Sequence, residues 1–144
     1  MRHCESLGNR ENIFQGQLDL DISATGEKQL ALLALRFRNI PIDAVYSSPL
    51  KRAYKTAEAV DLYHSLPIIK LPELMEVDVG ALSGMKLDKA FADYPVFAEK
   101  WQNSPQNCIF PEGETTAEVY DRAKKALARV KADCMGQTLS LIHI

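Results

Sequence analysis

The sequence predicts an α/β fold, a three-layer sandwich in which a mostly parallel sheet is flanked by helices. Three observations predict it. Helix-spaced segments alternate with short apolar runs in the order helix–strand–helix–strand–helix–strand, the pattern of parallel strands joined by crossover helices. The 144 residues suit about one domain, long enough to bury a core without disulfide or metal staples. Hydrophobic residues at 47% and charged residues at 25% match globular proteins and disfavour a disordered or fibrous chain.

The elements follow in order. The first 20 residues are polar, contain Gly and Asn, and read as an ordered loop. Ser23 or Thr25 caps a helix in which Leu30, Leu33, Ala34 and Phe37 recur at helical spacing, and Asn39-Ile40-Pro41 ends it. Ile42–Tyr46 suits a buried strand. Ser47-Ser48-Pro49 then opens a second helix, with Pro49 in the first turn and Ala53, Ala57 and Val60 on one side, running to about His64. Pro67–Leu71 is another short strand, followed by a loop over 72–84 hinged at Gly80 and Gly84. Short helices are expected over Lys86–Ala92 and Val96–Trp101, then a loop to Gly113. A long helix over Thr115–Ala132 buries Ala117, Val119, Ala123, Ala126, Leu127 and Val130, and Gln137–Ile142 closes the sheet as a strand.

Composition narrows the function classes. A net charge of −2 argues against a broad nucleic-acid footprint. No apolar run approaches a bilayer span, so no membrane association is expected. Met1-Arg2-His3-Cys4 shows no secretory leader. Cys4, Cys108 and Cys134 are odd in number and irregularly spaced, which is neither a disulfide framework nor a metal pattern, and a reducing cytoplasmic setting is the expectation.

Several residues could carry chemistry, each beside a bland alternative. His3 is either a nucleophile or a packed or solvated histidine, and Arg2 beside it offers an anion a charged partner. Ser48 and Arg52 fall at a strand-to-helix junction, the place where open α/β sheets bind ligands and where a helix N-terminus favours phosphate. A cation in a first helical turn opposes the macrodipole, so Arg52 is either aimed at an external anion or solvated. Glu76 is either an exposed loop carboxylate or, if buried, a general acid with a raised pKa. Glu112 and Glu114 precede a helix whose positive end either could favour, and that reading is taken for Glu112.

The combination resembles the histidine phosphatase superfamily, also called the phosphoglycerate mutase-like family. Arg2-His3-Cys4-Glu5-Ser6 with Asn9, Phe14-Gln15-Gly16-Gln17-Leu18-Asp19 and Thr25-Gly26 resembles the family's opening. Val45–Ala53 with Thr56-Ala57 is similar to its second signature, Leu74-x-Glu76-x-x-x-Gly80-x-x-x-Gly84 to its third, and Pro111–Thr115 to its Pro-Gly-Gly-Glu-Ser segment. The resemblance implies a phosphatase that hydrolyses a phosphate monoester of a small molecule. His3 would form a phosphohistidine, Arg2 and Arg52 would hold the phosphoryl oxygens, and Glu76 would protonate the leaving group. Asn9, Gln15 and Ser48 would bind substrate. No metal and no cofactor are implied, because Arg and His supply the positive charge.

Mutase-type transfer between phosphoglycerates is the alternative within the family. The short 86–112 segment favours hydrolysis over it. A non-catalytic phosphate-binding module, or an inactive fragment, is a further alternative. Cys4 stands where the family has a small Gly, which would tighten the pocket, and Ile13 where it often has Arg; Glu112 replaces the first Gly of the Gly-Gly pair. Cys4 also raises a cysteine-phosphatase reading, but the loop lacks that family's closing Arg at short spacing.

The resemblance further implies one incomplete domain over 1–144, lacking the strand before Arg2-His3 and the C-terminal portion. His143 sits near the family's second catalytic His, with Ile144 where Gly is expected. Residues 139–144 (Leu-Ser-Leu-Ile-His-Ile) spell the translation of a common transposon-adapter DNA, so they are expected to be adapter-derived; a real strand with a shifted His is the alternative. The sequence sets neither the ester nor the oligomeric state.

Overall fold

A computed structural model describes residues 1–142, and the expectations attached to His143 and Ile144 lie outside the described residues. Three parallel strands, β1 (Ala44–Ser47), β2 (Ile68–Lys70) and β3 (Leu139–Ile142), form a sheet in the order β2-β1-β3. Val45 pairs with Ile68 on one side and with Ser140 on the other, so β1 is central. The Met1 amino group donates to the Leu141 carbonyl, which sets the start of the chain beside β3 on the side away from β1.

Alternation along β1 sends successive side chains to opposite faces and creates the layers. Val45 faces α3 (Lys51–Asp61), packing with Ala53, Ala57, Val60 and Ile142 and with Leu33 and Phe37 of α2 (Ala24–Phe37). Tyr46 faces α6 (Thr116–Asp133), packing with Ala126, Val130 and Cys134. The Tyr46 hydroxyl lies 3.3 Å from the Cys134 sulfur, which partners its only polar atom in the core. The α/β three-layer expectation therefore holds.

A third cluster forms a cap beside the sandwich. Phe14 meets Phe97 and Phe110 with Val79, Leu82, Ala90 and Cys108, and α4 (Leu87–Asp93) and α5 (Pro95–Asn103) supply its outer wall. Short 3-10 turns at Pro72–Leu74, Gly80–Leu82 and Pro105–Asn107 break up segments expected as plain loops. Cap and sandwich meet where Gly80 lies against residues 111–113. A Cβ on Gly80 would come within 2.2 Å of the Pro111 carbonyl oxygen, and its φ of +51° favours glycine.

Several expectations need correction. The first 20 residues are not all loop: Leu7–Glu11 forms a short helix, α1, closed by a reciprocal capping box between Ser6 and Asn9. Helix α2 takes Ser23 rather than Thr25 as its cap. Helix α3 starts at Lys51 and ends at Asp61, so Pro49 precedes its first turn rather than lying in it. On α6, Leu127 is half-exposed and Ala117 is exposed, because the sheet below is too narrow to cover the whole apolar stripe. Glu112 lies outside the helix in a left-handed turn with φ of 58°, and the acidic residue of the first turn is Glu118.

Candidate functional site

The site gathers beyond the C-terminal end of β1, as open parallel sheets favour. The loop carrying Arg2 and His3 is fastened to α3 through the residue after the histidine. The Cys4 amide donates to Thr56 Oγ1 at 3.0 Å, and that hydroxyl donates to the Arg52 carbonyl at 2.7 Å. His3 and the first turns of α3 are thereby held together. His3 Nδ1 lies 2.5 Å from the Cys4 carbonyl oxygen. A carbonyl only accepts, so Nδ1 carries the proton, and in the neutral ring the lone pair sits on Nε2.

Arg52 is 1% exposed. Its guanidinium gives two of its N–H groups to the Gly16 carbonyl at 2.8 Å and the Leu18 carbonyl at 3.0 Å. Burial lowers its pKa, while the Glu76 and Asp19 carboxylates favour the charged form. The bland reading of a solvated surface arginine is therefore wrong for Arg52: the side chain is inside, stitching the 16–18 loop to α3.

Glu76 is partly buried, and burial pushes its carboxyl above the usual carboxylate range. The Val77 amide and the charges of Arg52, Arg122 and Arg2 oppose that rise without cancelling it. Glu76 thus shares its electrostatic environment with both of the arginines singled out from the sequence.

Two adjoining pockets meet at Asn9. One, of about 270 Å³, is lined by Arg2, His3, Cys4 and Asn9 with Glu5 and Gln29. The other, of about 170 Å³, holds Asn9, Gln15, Glu76 and an apolar wall that includes Trp101. The Asn9 carboxamide oxygen accepts from the Ser6 amide at 3.0 Å, which orients the side chain at the junction. Gln15 is buried, its carboxamide 2.6 Å from the Ser6 hydroxyl. Ser48 lies deeper: it is buried, its hydroxyl faces the Leu50 amide at 3.4 Å, and its own amide donates to the Ile142 carbonyl. The structure brings Arg2, His3, Asn9, Gln15 and Glu76 to the pocket walls and sets Ser48 in the turn behind them.

Burial raises the Cys4 thiol pKa, so the sulfur stays neutral, and it points toward the Arg52 carbonyl at 3.9 Å. That geometry fits a packed side chain rather than a thiolate nucleophile.

Sequence reasoning missed Arg122. Its guanidinium makes a bidentate pair with Glu114, both contacts at 2.9 Å. It also donates to the carbonyls of Glu73 at 2.9 Å, Met75 at 2.6 Å and Glu76 at 2.9 Å. Glu114 in turn accepts from the Asp78 amide at 2.8 Å. The pair thus holds the backbone on both sides of Glu76. The signal available was Glu114 and Arg122 eight positions apart across a helix start, too common a pattern to single out. Among the described residues no group of three or more His, Cys, Asp or Glu could hold a metal ion.

Known proteins resemble this chain over nearly its whole length. Residues 1–143 match the model of the histidine phosphatase superfamily (branch 1). The chain is 37% identical over 142 residues to phosphoserine phosphatase 1 of Hydrogenobacter thermophilus, covering 99% of this chain and 67% of that protein. It is 34% identical over 130 residues to a Bacillus subtilis phosphatase, PhoE, covering 90% of this chain and 62% of that one. The chain therefore spans roughly two thirds of the length of these relatives. Among solved structures, YhfR of Bacillus stearothermophilus superposes with a TM-score of 0.93 at 26% identity, over 99% of this chain and 71% of that chain.

Proposed function

The chain belongs to the histidine phosphatase superfamily, and from that premise we propose that it hydrolyses a phosphate monoester of a small molecule through a phosphohistidine. The observation that carries the reading is the His3 ring. Its proton is held on Nδ1 by the Cys4 carbonyl, and Arg2 and Asn9 line the same pocket.

In the first step Nε2 attacks phosphorus, an N–P bond forms and the ester P–O bond breaks. The departing alkoxide takes the proton of Glu76, which burial keeps available. In the second step water attacks phosphorus and gives its proton to the Glu76 carboxylate. The N–P bond breaks and inorganic phosphate leaves. Arg2 and Arg52 supply positive charge for the phosphoryl oxygens. Asn9 and Gln15 orient the ester. Ser48 supports binding through the turn it holds. Three unpaired, buried cysteines support a reducing, cytoplasmic setting.

Incubation with an aryl phosphate tests the proposal. Turnover, with acid-labile phosphate on His3 and loss of both in His3→Ala, is the expected result. Exchange between phosphoglycerates without net hydrolysis would instead establish a mutase, and tight phosphate binding without turnover a non-catalytic module.

A further inference from the structure

The two pockets that share Asn9 differ sharply in character. The His3 pocket carries the cation Arg2, the carboxylate Glu5 and polar walls. The pocket on the Glu76 side is walled by Ile13, Phe14, Leu87, Trp101 and Phe110, and Glu76 is the single charged side chain among the described residues lining it. Trp101 is the only tryptophan in the chain and is 39% exposed. Its indole is locked by edge contacts with Phe14 at 5.9 Å and Phe110 at 5.8 Å and by a tilted contact with Phe97 at 5.8 Å. Three rings pack against it, and part of its surface is left open to the pocket.

From this polarity we infer that the alcohol portion of the substrate is apolar and planar, stacked against Trp101, with the phosphate as its only anionic group. The inference rests on the phosphatase reading and narrows its substrate class. Glu76 donates to the bridging oxygen, so the alcohol must leave on the Glu76 side, into the aromatic pocket. A carboxylate on that alcohol, as in phosphoglycerate or phosphoserine, would enter a space that offers no cation among the described residues lining it and is walled mainly by apolar side chains. An aryl or other flat apolar group gains stacking on a preformed ring cluster without ordering new side chains. Trp101 and Ile13 are then the residues that set specificity.

Equilibrium binding tests this apart from turnover. The 144-residue chain is titrated by calorimetry with benzylphosphonate and with 3-phosphonopropionate, and the first titration is followed also by Trp101 emission. The expected result is at least tenfold tighter binding of benzylphosphonate, with a change in emission. Equal or tighter binding of the carboxylate-bearing phosphonate, or an unresponsive Trp101, overturns the inference.

Two variants sharpen it. Trp101→Leu should weaken benzylphosphonate about tenfold and leave inorganic phosphate binding unchanged. Ile13→Arg should improve binding of 3-phosphonopropionate, and no gain there counts against the assigned wall. A separate turnover assay compares phenyl phosphate with 3-phosphoglycerate and phosphoserine. Hydrolysis of none of them refutes the phosphatase reading while the binding comparison still decides the polarity of the pocket. Hydrolysis that favours either carboxylate-bearing ester refutes the inference alone.

Discussion

Under the proposed mechanism, Glu76 trades stability for chemistry. Its native pKa lies above the ordinary value of 4.5, with burial as the chief cause. The native state therefore binds the proton more tightly than the unfolded chain does. The contribution is favourable below the unfolded pKa and is lost as pH rises through the native value. Glu76→Gln should lower kcat by about 10²–10⁴-fold. It should also gain stability over wild type in urea melts as pH is raised from about 4 to about 7. A variant that melts alike at both pH values would contradict the assigned burial cost. Arg52→Lys keeps the charge, but an ammonium cannot span the Gly16 and Leu18 carbonyls that the guanidinium fork reaches. Hydrolysis should fall about 10²-fold, and steady-state kinetics on an aryl phosphate reads this directly. At this scale the sequence was informative: His3, Arg52 and Glu76 were legible as motif residues. What it did not show was that Arg52 is buried and that Ser48 turns its hydroxyl into the chain.

At the scale of elements, the loop that carries Glu76 has little regular structure of its own. It is held by α6 through Arg122, which bonds three of its carbonyls and pairs with Glu114. Arg122→Ala should cost about 2 kcal/mol of stability. It should also lower kcat more than it raises KM, because the proton donor proposed at Glu76 is misplaced while the phosphate site stays intact. Arg122→Lys should recover part of the stability but little of kcat. Glu114 is held below its usual value by the Arg122 hydrogen bonds. Its contribution is present above 4.5 and fades as pH falls through the lower native value, and Glu114→Gln should remove that dependence in acid melts. Elements with long periodic faces were readable within a residue or two, including α2, α6 and the three strands. Helix α1 was not, because five residues carry no helical period and only the Ser6–Asn9 capping box marks it.

For the whole molecule, cap and sandwich are joined where backbone meets backbone. Gly80→Ala would drive a methyl into the Pro111 carbonyl and the Glu112–Gly113 peptide, all within 2.5 Å of the added carbon. It should destabilise by about 3 kcal/mol or more, seen as a lower Tm. Glu112 sits nearby at a φ of 58°. Glu112→Gly should raise stability by about 1 kcal/mol, because the left-handed conformation costs any residue with a Cβ. The sequence by itself determined the layered α/β plan, since the alternation of helix-period and apolar segments leaves few other ways to bury both faces of a parallel sheet. It also determined the identity of the chemical groups. Only the tertiary structure decided which of them share a solvent-poor space. Burial, the Arg122 clamp and the aromatic wall around Trp101 all arise from contacts between residues far apart in the chain. Local spacing carries no information about such contacts, because the field and the hydration at an atom depend on its neighbours in space.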